Sequence, residues 1–548
     1  MHLKFFSHTA IACSLLASVS MAVASSYAQQ NVHQQAVHST LAIPEQRIAL
    51  DIPAGHIAQI SFVGEGVHLD LRDAQGQHLR RLAEDGRGAI TAMWRSQGSD
   101  QEQLWVVASD ISGPRSFQLK LLKTWPSTGP EKLHPEVTPM GPRLQALSEM
   151  LQQGGDTQYF WQEMEKLGTP LVEPWNDGQL LVTFLWRDQG NDNVRLFGSP
   201  SGNHNPLRKL EGSDVWWTSI VMDPRARLSY GLAPDVPEVA DTAMQRRMIL
   251  STLQRDPLNS RVFPLALNGK AVDIYQGRSL LELPKAPAHP WTQDTKQPFQ
   301  GRLQRHVMQS QVLGNTRDVF TYLPRDAAPQ ALLVLFDAHA YLKDVSAPHI
   351  IDWLMEQQLL PPTAMVLVGN ASAEARNAEL PPNPKFAQFM AQELMPWVRQ
   401  QGMGQLADRT VVAGSSYGGL VSSYLGLMHP ELFGNVLSMS GSYWWAPADE
   451  PAGWMQRAWQ AVPGPMHHVH FYLDAGLYET SRGGRRGILE TSRELGQVLR
   501  DRGLSVTQRE WVSGHDYAQW QASLACGLVA LLASEKLEDP RLQACTPA

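Results

Sequence analysis

The stretch Thr410-Val-Val-Ala-Gly-Ser-Ser-Tyr-Gly-Gly-Leu420 decides the fold class of this 548-residue chain. It starts with an apolar run that predicts a strand, passes through a G-x-S-x-G pentapeptide, and leads into a helix-like segment over 418–428. A tight turn between strand and helix needs glycine on both sides, because a side chain there would clash with the backbone. The pattern predicts that the hydroxyl of Ser416 is raised above the end of a strand.

The sequence around this turn alternates apolar strand-like runs with amphipathic helix-like runs. Strands separated by helices, with largely apolar central strands, predict a parallel sheet covered on both faces. With the serine turn, this predicts an α/β-hydrolase domain over 300–548. The predicted strands span 318–323, 331–336, 364–368, 409–413, 435–439, 469–473 and 505–512, and the predicted helices span 350–358, 384–400, 418–428, 487–500 and 517–534.

A serine hydroxyl is a poor nucleophile at neutral pH unless a base accepts its proton. His515 lies in a loop after the last predicted strand, near the end of the chain. In this fold the nucleophile, acid and base follow one another in that order along the chain. We therefore predict His515 as the base for Ser416.

The acid that orients the imidazole should follow the predicted strand 469–473. Asp474 ends that strand directly, and Glu479 follows five residues later. We favour Glu479, because it can turn towards the histidine, and keep Asp474 as the alternative. Asp516 is a weaker third candidate, and a pair without a working acid also stays open.

An oxyanion hole needs two backbone N–H donors. One is expected from Tyr417, the residue after the nucleophile, and the other from the loop that follows strand 331–336. Ala338 or His339 would supply that second donor.

Two β-rich regions precede the hydrolase domain. Residues 40–124 alternate apolar and polar side chains in short runs, which is typical of an antiparallel β-sandwich. A proline-rich linker and a helix-like segment over 143–167 follow, and strand-like runs then return from 170 to 237. The second region, bounded at 143–290, is predicted as another β-sandwich.

The first 28 residues have the pattern of an export signal: Lys4, an apolar stretch over 9–24, and small residues before 28. A membrane anchor is the alternative, but the apolar stretch is short for a span. We therefore expect a periplasmic protein with no membrane insertion after cleavage. Cys526 and Cys545 would remain, and an even pair in an oxidising compartment favours a disulfide between them, with two buried thiols as the alternative.

The net charge of −7 argues against nucleic acid as a partner, since phosphate binding needs a concentrated basic surface. We also predict neither a metal nor a cofactor.

Several motifs resemble those of the enterochelin (ferric enterobactin) esterase family. The most specific contains Ser440-Gly-Ser-Tyr-Trp-Trp445. The full set of resembling stretches is Val411–Leu420, His429–Gly434, Leu437–Trp445, Leu473–Glu479, Gly514–Asp516 and Glu379–Pro381 with Arg376 before it. The resemblance covers the chain from about Leu144 to its end, so the sandwich at 40–124 lies outside it.

The resemblance implies hydrolysis of the trilactone of ferric enterobactin or a related catecholate siderophore. It implies Ser416 and His515 as catalytic residues and supports Glu479. Five further residues are expected to contact the substrate, the arginines because guanidinium groups pair with anionic oxygens and the tryptophans as walls for catechol rings. For each, an ordinary role at the surface or in the core is the alternative. These residues are Arg376, Arg482, Arg485, Trp444 and Trp445.

Two other functions stay open. The same triad would serve an exported carboxylesterase acting on feruloyl or peptide esters. A siderophore- or glycan-binding protein that only keeps the fold is the non-enzymatic alternative, and the intact serine and histidine argue against it.

Overall fold

A computed structural model describes residues 36–41, 44–84, 86–109, 113, 115–198, 200, 202, 204–240, 244–267, 269–292, 298–325, 327–464, 468–482 and 484–545. The predicted signal peptide, 1–28, lies outside the described residues.

The first β-domain, residues 36–125, consists of two antiparallel four-stranded sheets. Their sheet orders are β1-β8-β3-β6 and β2-β7-β4-β5. Inward side chains of both sheets share one hydrophobic cluster, because alternate residues of each strand face it. The strands are β1 (Ala36–Leu41), β2 (Glu45–Ile48), β3 (Ile57–Gly64), β4 (Val67–Asp73), β5 (His78–Ala83), β6 (Gly86–Arg95), β7 (Glu102–Ala108) and β8 (Arg115–Trp125).

The second β-domain, residues 129–282, also contains two antiparallel four-stranded sheets, ordered β10-β11-β14-β13 and β12-β15-β18-β17. Short strands β9 and β16 pair separately. The elements are β9 (Gly129–Pro130), α1 (Pro142–Gln152), α2 (Gln158–Leu167), β10 (Leu171–Pro174), β11 (Leu180–Arg187), β12 (Val194–Gly198), β13 (Arg208–Lys209), β14 (Val215–Met222), β15 (Arg227–Pro234), β16 (Pro237–Glu238), α3 (Gln245–Thr252), β17 (Val262–Phe263) and β18 (Arg278–Glu282).

The continuous helix expected over 143–167 is wrong. Two helices occupy this segment, and the first ends before Gly154, whose φ of 85° lies in the left-handed region. Glycine adopts that conformation at little cost, so the chain turns there and starts a new helix.

The hydrolase domain contains an eight-stranded sheet ordered β19-β20-β22-β21-β23-β24-β25-β26. The first two strands in this order are antiparallel to their neighbours, and the six from β22 onwards run parallel. Its elements are β19 (Arg302–Gln309), β20 (Thr316–Leu323), β21 (Ala331–Phe336), α4 (Ala338–Lys343), α5 (Ala347–Glu356), β22 (Thr363–Val368), α6 (Ala373–Glu379), α7 (Pro384–Phe389), α8 (Met395–Gln400), β23 (Thr410–Ser415), α9 (Tyr417–Met428), β24 (Asn435–Met439), α10 (Trp454–Ala461), β25 (His470–Gly476), α11 (Ile488–Asp501), β26 (Ser505–Trp511) and α12 (Tyr517–Leu532).

Helices cover both faces of this sheet, and a separate hydrophobic cluster fills the space on each face. Strands β21, β22, β23 and β24 are fully buried, which explains why their sequences are largely apolar. The predicted mostly parallel hydrolase sheet is confirmed, whereas the edge strand β19 was not predicted.

The helix expected over 384–400 contains a π-helical turn, Met390–Leu394. This turn lies just before Pro396, which has no N–H to continue the regular helical hydrogen bonds.

The structure joins Cys526 of α12 to Cys545, which confirms the proposed disulfide. In the described residues no helix has the length and apolar character needed to cross a bilayer. Among those same residues no cluster of three potential metal ligands occurs.

Candidate active site

Ser416 stands between β23 and α9 with φ 59° and ψ −119°, a conformation that costs a non-glycine residue energy. The glycines around it make the turn possible. A Cβ on Gly414 would lie 2.7 Å from the carbonyl carbon of Gly418, and one on Gly419 would lie 2.6 Å from Ser438 Oγ. The sequence-predicted serine turn is therefore present at the carboxyl end of the sheet.

The turn is tied to the end of β24. The backbone N–H of Ser416 donates to the carbonyl of Met439 at 3.0 Å, and the N–H of Ser442 donates to the carbonyl of Ser416 at 3.1 Å. The hydroxyl of Ser416 lies 3.3 Å from that of Ser442. Among the described residues, the nucleophile therefore has Ser442 as its hydroxyl partner in this state.

His515 pairs directly with Glu479. The distance from His515 Nδ1 to Glu479 Oε1 is 2.6 Å, and the carboxylate is buried while the imidazole is partly exposed. The ring of Trp520 meets the imidazole edge-on, with centroids 4.9 Å apart. This arrangement fixes the imidazole orientation and leaves Nε2 for a proton from a hydroxyl.

The second oxygen of Glu479 is held from two sides. Oε2 accepts from the hydroxyl of Ser440 at 2.8 Å and from the N–H of Gly476 at 2.6 Å. Trp520 Nε1 donates to the same Ser440 hydroxyl at 3.1 Å. Ser440 thus connects the acid to the tryptophan that packs on the base, a connection that sequence reasoning missed because the three residues lie far apart in the chain.

Asp474, the alternative acid, has other partners. It is completely buried, and its oxygens accept from the N–H of Ser440 at 3.0 Å and from Trp511 Nε1 at 3.1 Å. Burial raises the pKa of its carboxyl to about 7, and the nearby Glu479 charge adds to that effect, although hydrogen bonds from neighbours oppose it. The geometry therefore brings Glu479, not Asp474, to the histidine.

Asp516, the third candidate acid, has hydrogen-bond partners other than the histidine. One of its oxygens caps α12 by accepting from the N–H of Ala518 at 2.9 Å, and it accepts from the Ser229 hydroxyl at 2.9 Å. Its other oxygen accepts from the N–H of Ser229. Asp516 therefore joins the histidine loop to β15 of the second β-domain.

The predicted oxyanion donors lie at the starts of two helices. Tyr417 begins α9 and Ala338 begins α4, and these helices follow the adjacent parallel strands β23 and β21. First-turn N–H groups have no partner within their own helix. Ala338 is buried, whereas the side chain of His339 is exposed and lies 3.4 Å from Asp318. The roles of these three residues stay predictions.

Arg376 does reach the site, but its guanidinium is already paired. It donates to both oxygens of Asp337, at 2.6 and 2.8 Å, and lies over the Tyr417 ring at 5.8 Å. Burial acts to lower the pKa of Arg376, but Asp337 outweighs it and the pKa is raised. This pair fixes the loop before α4, and sequence reasoning missed Asp337 as its partner.

Trp444 and Trp445, both expected to contact the substrate, have different surroundings. Trp444 is exposed and its ring centroid lies 6.1 Å from that of Tyr417, so it stands beside the nucleophile. Trp445 is partly buried and packs against Trp454 and the hydrophobic cluster on one face of the sheet. A pocket wall suits Trp444, whereas Trp445 has the surroundings of a core residue.

Arg482 and Arg485 follow Glu479 in a short turn held by mutual backbone hydrogen bonds. The Arg482 guanidinium donates to the carbonyl of Tyr478 and approaches Gly202 of the second β-domain. Arg485 is exposed. Substrate contacts by either arginine stay predictions.

Two family models match the second β-domain and the hydrolase domain of the chain. The Esterase family model matches residues 310–531, and the model described as "Enterochelin esterase, N-terminal" matches residues 181–292. The iron(III) enterobactin esterase of Escherichia coli strain K12 is 30% identical over 383 residues, covering 65% of this chain and 92% of that protein. The chain belongs to the enterochelin esterase family.

This enterochelin esterase family member is a hydrolase with esterase activity. The iron(III) salmochelin esterase of Escherichia coli O6:H1 is 28% identical over 396 residues, covering 67% of this chain and 92% of that protein. The crystal structure of the Shigella flexneri enterobactin esterase in the presence of enterobactin has a TM-score of 0.56 and 29% identity, covering 68% of this chain and 97% of that one. The first β-domain lies outside both family-model matches.

Proposed function

We propose that this esterase hydrolyses the trilactone ester bonds of ferric enterobactin or a related catecholate siderophore, and so aids iron release. The observation that carries the chemistry is the 2.6 Å contact between His515 and buried Glu479 at the same end of the sheet as Ser416. The substrate class is supported by the relatives, which are enterobactin and salmochelin esterases.

In the proposed reaction, Ser416 Oγ leaves its contact with Ser442 and donates its proton to His515 Nε2 as it attacks the ester carbonyl. Catalytic hydrogen bonds of this kind often tighten only when substrate is bound. Glu479 stabilises the imidazolium through Nδ1–H, and the N–H groups of Tyr417 and of the α4 start stabilise the oxyanion. The imidazolium then protonates the leaving seryl oxygen, which departs as a hydroxyl. In the second half of the reaction His515 takes a proton from water as that water attacks the acyl-enzyme, and the proton passes to Ser416 Oγ as the acid leaves.

We further propose that hydrolysis takes place in the periplasm. The proposal is supported by the charged start, the apolar stretch over 9–24 and the small residues before 28. Detection of the mature chain in a periplasmic extract, with an N-terminus after residue 28, would support it. Retention of residues 1–28 on a membrane-bound chain would contradict it.

The decisive experiment is mass spectrometry of products after incubation with ferric and iron-free enterobactin. Each cleaved ester adds one water to the product, so linear trimer, dimer and monomer are distinguishable. Ser416→Ala, which keeps the fold but lacks the nucleophile, should lower kcat by about 10⁴-fold or more. Hydrolysis of a simple aryl ester with neither siderophore form cleaved would contradict the siderophore assignment and favour a carboxylesterase of other specificity.

A further inference from the structure

The ring of Phe197, in the second β-domain, is contacted by one imidazole and two guanidinium groups. Phe197, at the end of β12, stacks on the imidazole of His204 with centroids 4.5 Å apart and an interplanar angle of 12°. The guanidinium carbons of Arg246 and Arg278 lie 5.5 and 5.7 Å from the centre of the same ring. These four residues are called the Phe197 cluster.

Arg246 of the Phe197 cluster has unused hydrogen-bonding capacity. Within the described parts of the chain, no carboxylate pairs with Arg246, whereas the buried Arg278 donates to the carbonyl of Gly277 and interacts with the charges of Asp344 and Asp516. A guanidinium stacked on a ring keeps its N–H donors at the edge, where they can bind anionic oxygens. Burial, assisted by the charges of Arg246, Arg195 and Arg482, lowers the pKa of His204 to about 4, so this ring is neutral near pH 7.

The Phe197 cluster lies close to the catalytic loops. Phe197 is paired with Gly231 on β15, two residues from Ser229, which binds Asp516 beside the catalytic histidine. From the other side, Arg482 approaches the loop that carries His204, since a Cβ on Gly202 would lie 2.9 Å from its Nη1. A substrate that extends from Ser416 towards the second β-domain would therefore meet this cluster.

The first β-domain packs on the helix that carries Arg246. Met248 and Ile249 of α3 share a hydrophobic cluster with Ile57 and Trp125 of the first β-domain. Arg80 Nη1 also donates to the carbonyl of Ser251 at 2.6 Å, in the last turn of α3, where a positive charge is favourable. The first β-domain thus packs against the apolar side of α3, whereas the side chain of Arg246 on the same helix is exposed.

Two more contacts hold the segment before Arg278. Arg80 stacks over Tyr275 at 4.5 Å, and the backbone N–H of Arg81 donates to Asp273 at 2.6 Å. Because Tyr275 lies three residues before Arg278, the first β-domain restrains both arginines of the Phe197 cluster.

We propose that the Phe197 cluster is a binding subsite for an anionic aromatic arm of the substrate, and that the first β-domain holds this subsite in place. The ligand identity rests on the proposed function, in which catecholate oxygens supply the negative charge. The first β-domain thereby has a positioning role in substrate recognition.

The test measures kcat/KM of the full-length chain for ferric enterobactin and for neutral p-nitrophenyl butyrate, and takes the ratio of the two. Any misfolded fraction of a variant cancels in this ratio, because both substrates use the same serine. Arg246→Gln should lower the ratio about tenfold, the factor expected for one lost charge-assisted hydrogen bond. Arg80→Met should lower it in the same direction by a smaller factor.

The matched control is Arg302→Gln, an exposed arginine on β19 at the opposite edge of the sheet from β26. It makes the same charge change and should leave the ratio as in the wild type. An unchanged ratio in Arg246→Gln, or an equal fall in Arg302→Gln, would overturn the subsite. An effect of Arg246→Gln without any effect of Arg80→Met would overturn the positioning role of the first β-domain.

A binding measurement distinguishes failure of the subsite from failure of the proposed function. Quenching of tryptophan fluorescence gives the Kd of ferric enterobactin for Ser416→Ala with and without Arg246→Gln. If the wild type binds the complex without cleaving it, the proposed function fails, while about tenfold weaker binding in the Arg246→Gln background still supports the subsite. Absence of binding to the parent Ser416→Ala chain overturns both.

Discussion

The carboxyl end of the hydrolase sheet and the Phe197 cluster use polar groups in opposite ways. At the sheet end, Glu479 bonds to His515, Ser440 and Gly476, so each oxygen of its carboxylate is occupied. In the Phe197 cluster, Arg246 has no carboxylate partner among the described residues. The first region is organised before substrate arrives, whereas the second keeps donors for a ligand.

The difference indicates that the sheet end serves the chemical step and the Phe197 cluster serves substrate binding. Preorganised groups stabilise charge that develops only in the transition state, so their loss lowers kcat. Exposed cations that contact the substrate equally before and during reaction affect KM instead. Changes at the sheet end should therefore lower kcat, and changes that weaken the exposed cations should raise KM.

Among changes that leave the nucleophile in place, the largest effect is expected for Glu479→Gln. An amide cannot stabilise the imidazolium and favours the wrong tautomer, so kcat should fall by about 10³- to 10⁴-fold with little change in KM. Steady-state kinetics on an aryl ester measures both constants. Asp474→Asn serves as the control, and a larger loss of kcat in that variant would reverse the assignment of the acid.

The next effect concerns the pH dependence of stability. The folded pKa of Asp474 is about 7 and that of an unfolded aspartate is about 3.9. The folded state therefore keeps a proton that the unfolded state has lost, and the stabilising contribution of protonated Asp474 declines as pH rises through about 7. Urea unfolding of wild type and Asp474→Asn at pH values of about 5 and 8 measures the difference, which should be about 2 to 3 kcal/mol between these two pH values. Identical pH dependence in both proteins would show that this carboxyl is not perturbed.

A moderate effect is expected for Ser440→Ala. The change removes one donor to Glu479 and leaves Trp520 Nε1 without its acceptor, so kcat should fall about tenfold and the pH profile of kcat should shift. The matched control is Ser492→Ala, a buried serine whose hydroxyl has no hydrogen-bond partner in the described structure. Because Ser440 does not touch the reacting atoms, a loss confined to KM would argue against its positioning role.

The smallest effect concerns salt. Raising NaCl from about 50 mM to about 500 mM screens exposed charges and should raise KM for ferric enterobactin about threefold while kcat stays constant. The neutral aryl ester, measured in the same buffers, should show a constant KM. A fall in kcat with salt, or equal changes for both substrates, would contradict the contrast between the two regions.

Local patterns predicted the hydrolase domain well because its signals are short-range. Strand β21 is buried on both faces and therefore has an unbroken apolar sequence, and β23 is apolar through its centre. The glycines around Ser416 mark a turn in which a Cβ would lie too close to neighbouring atoms. The order of Ser416, Glu479 and His515 along the chain follows from the order of the parallel strands. Where local signals were ambiguous, as in 143–167, the sequence predicted one helix instead of two.

The sequence by itself determined the serine turn, the alternation of strands and helices, and the candidates for each catalytic role. Only the tertiary structure decided between Glu479 and Asp474, paired Arg376 with Asp337, and joined Asp516 to the second β-domain. Each of these choices depends on contacts between residues distant in the chain. Such contacts are fixed by how strands and domains pack, which side-chain type and local spacing do not specify.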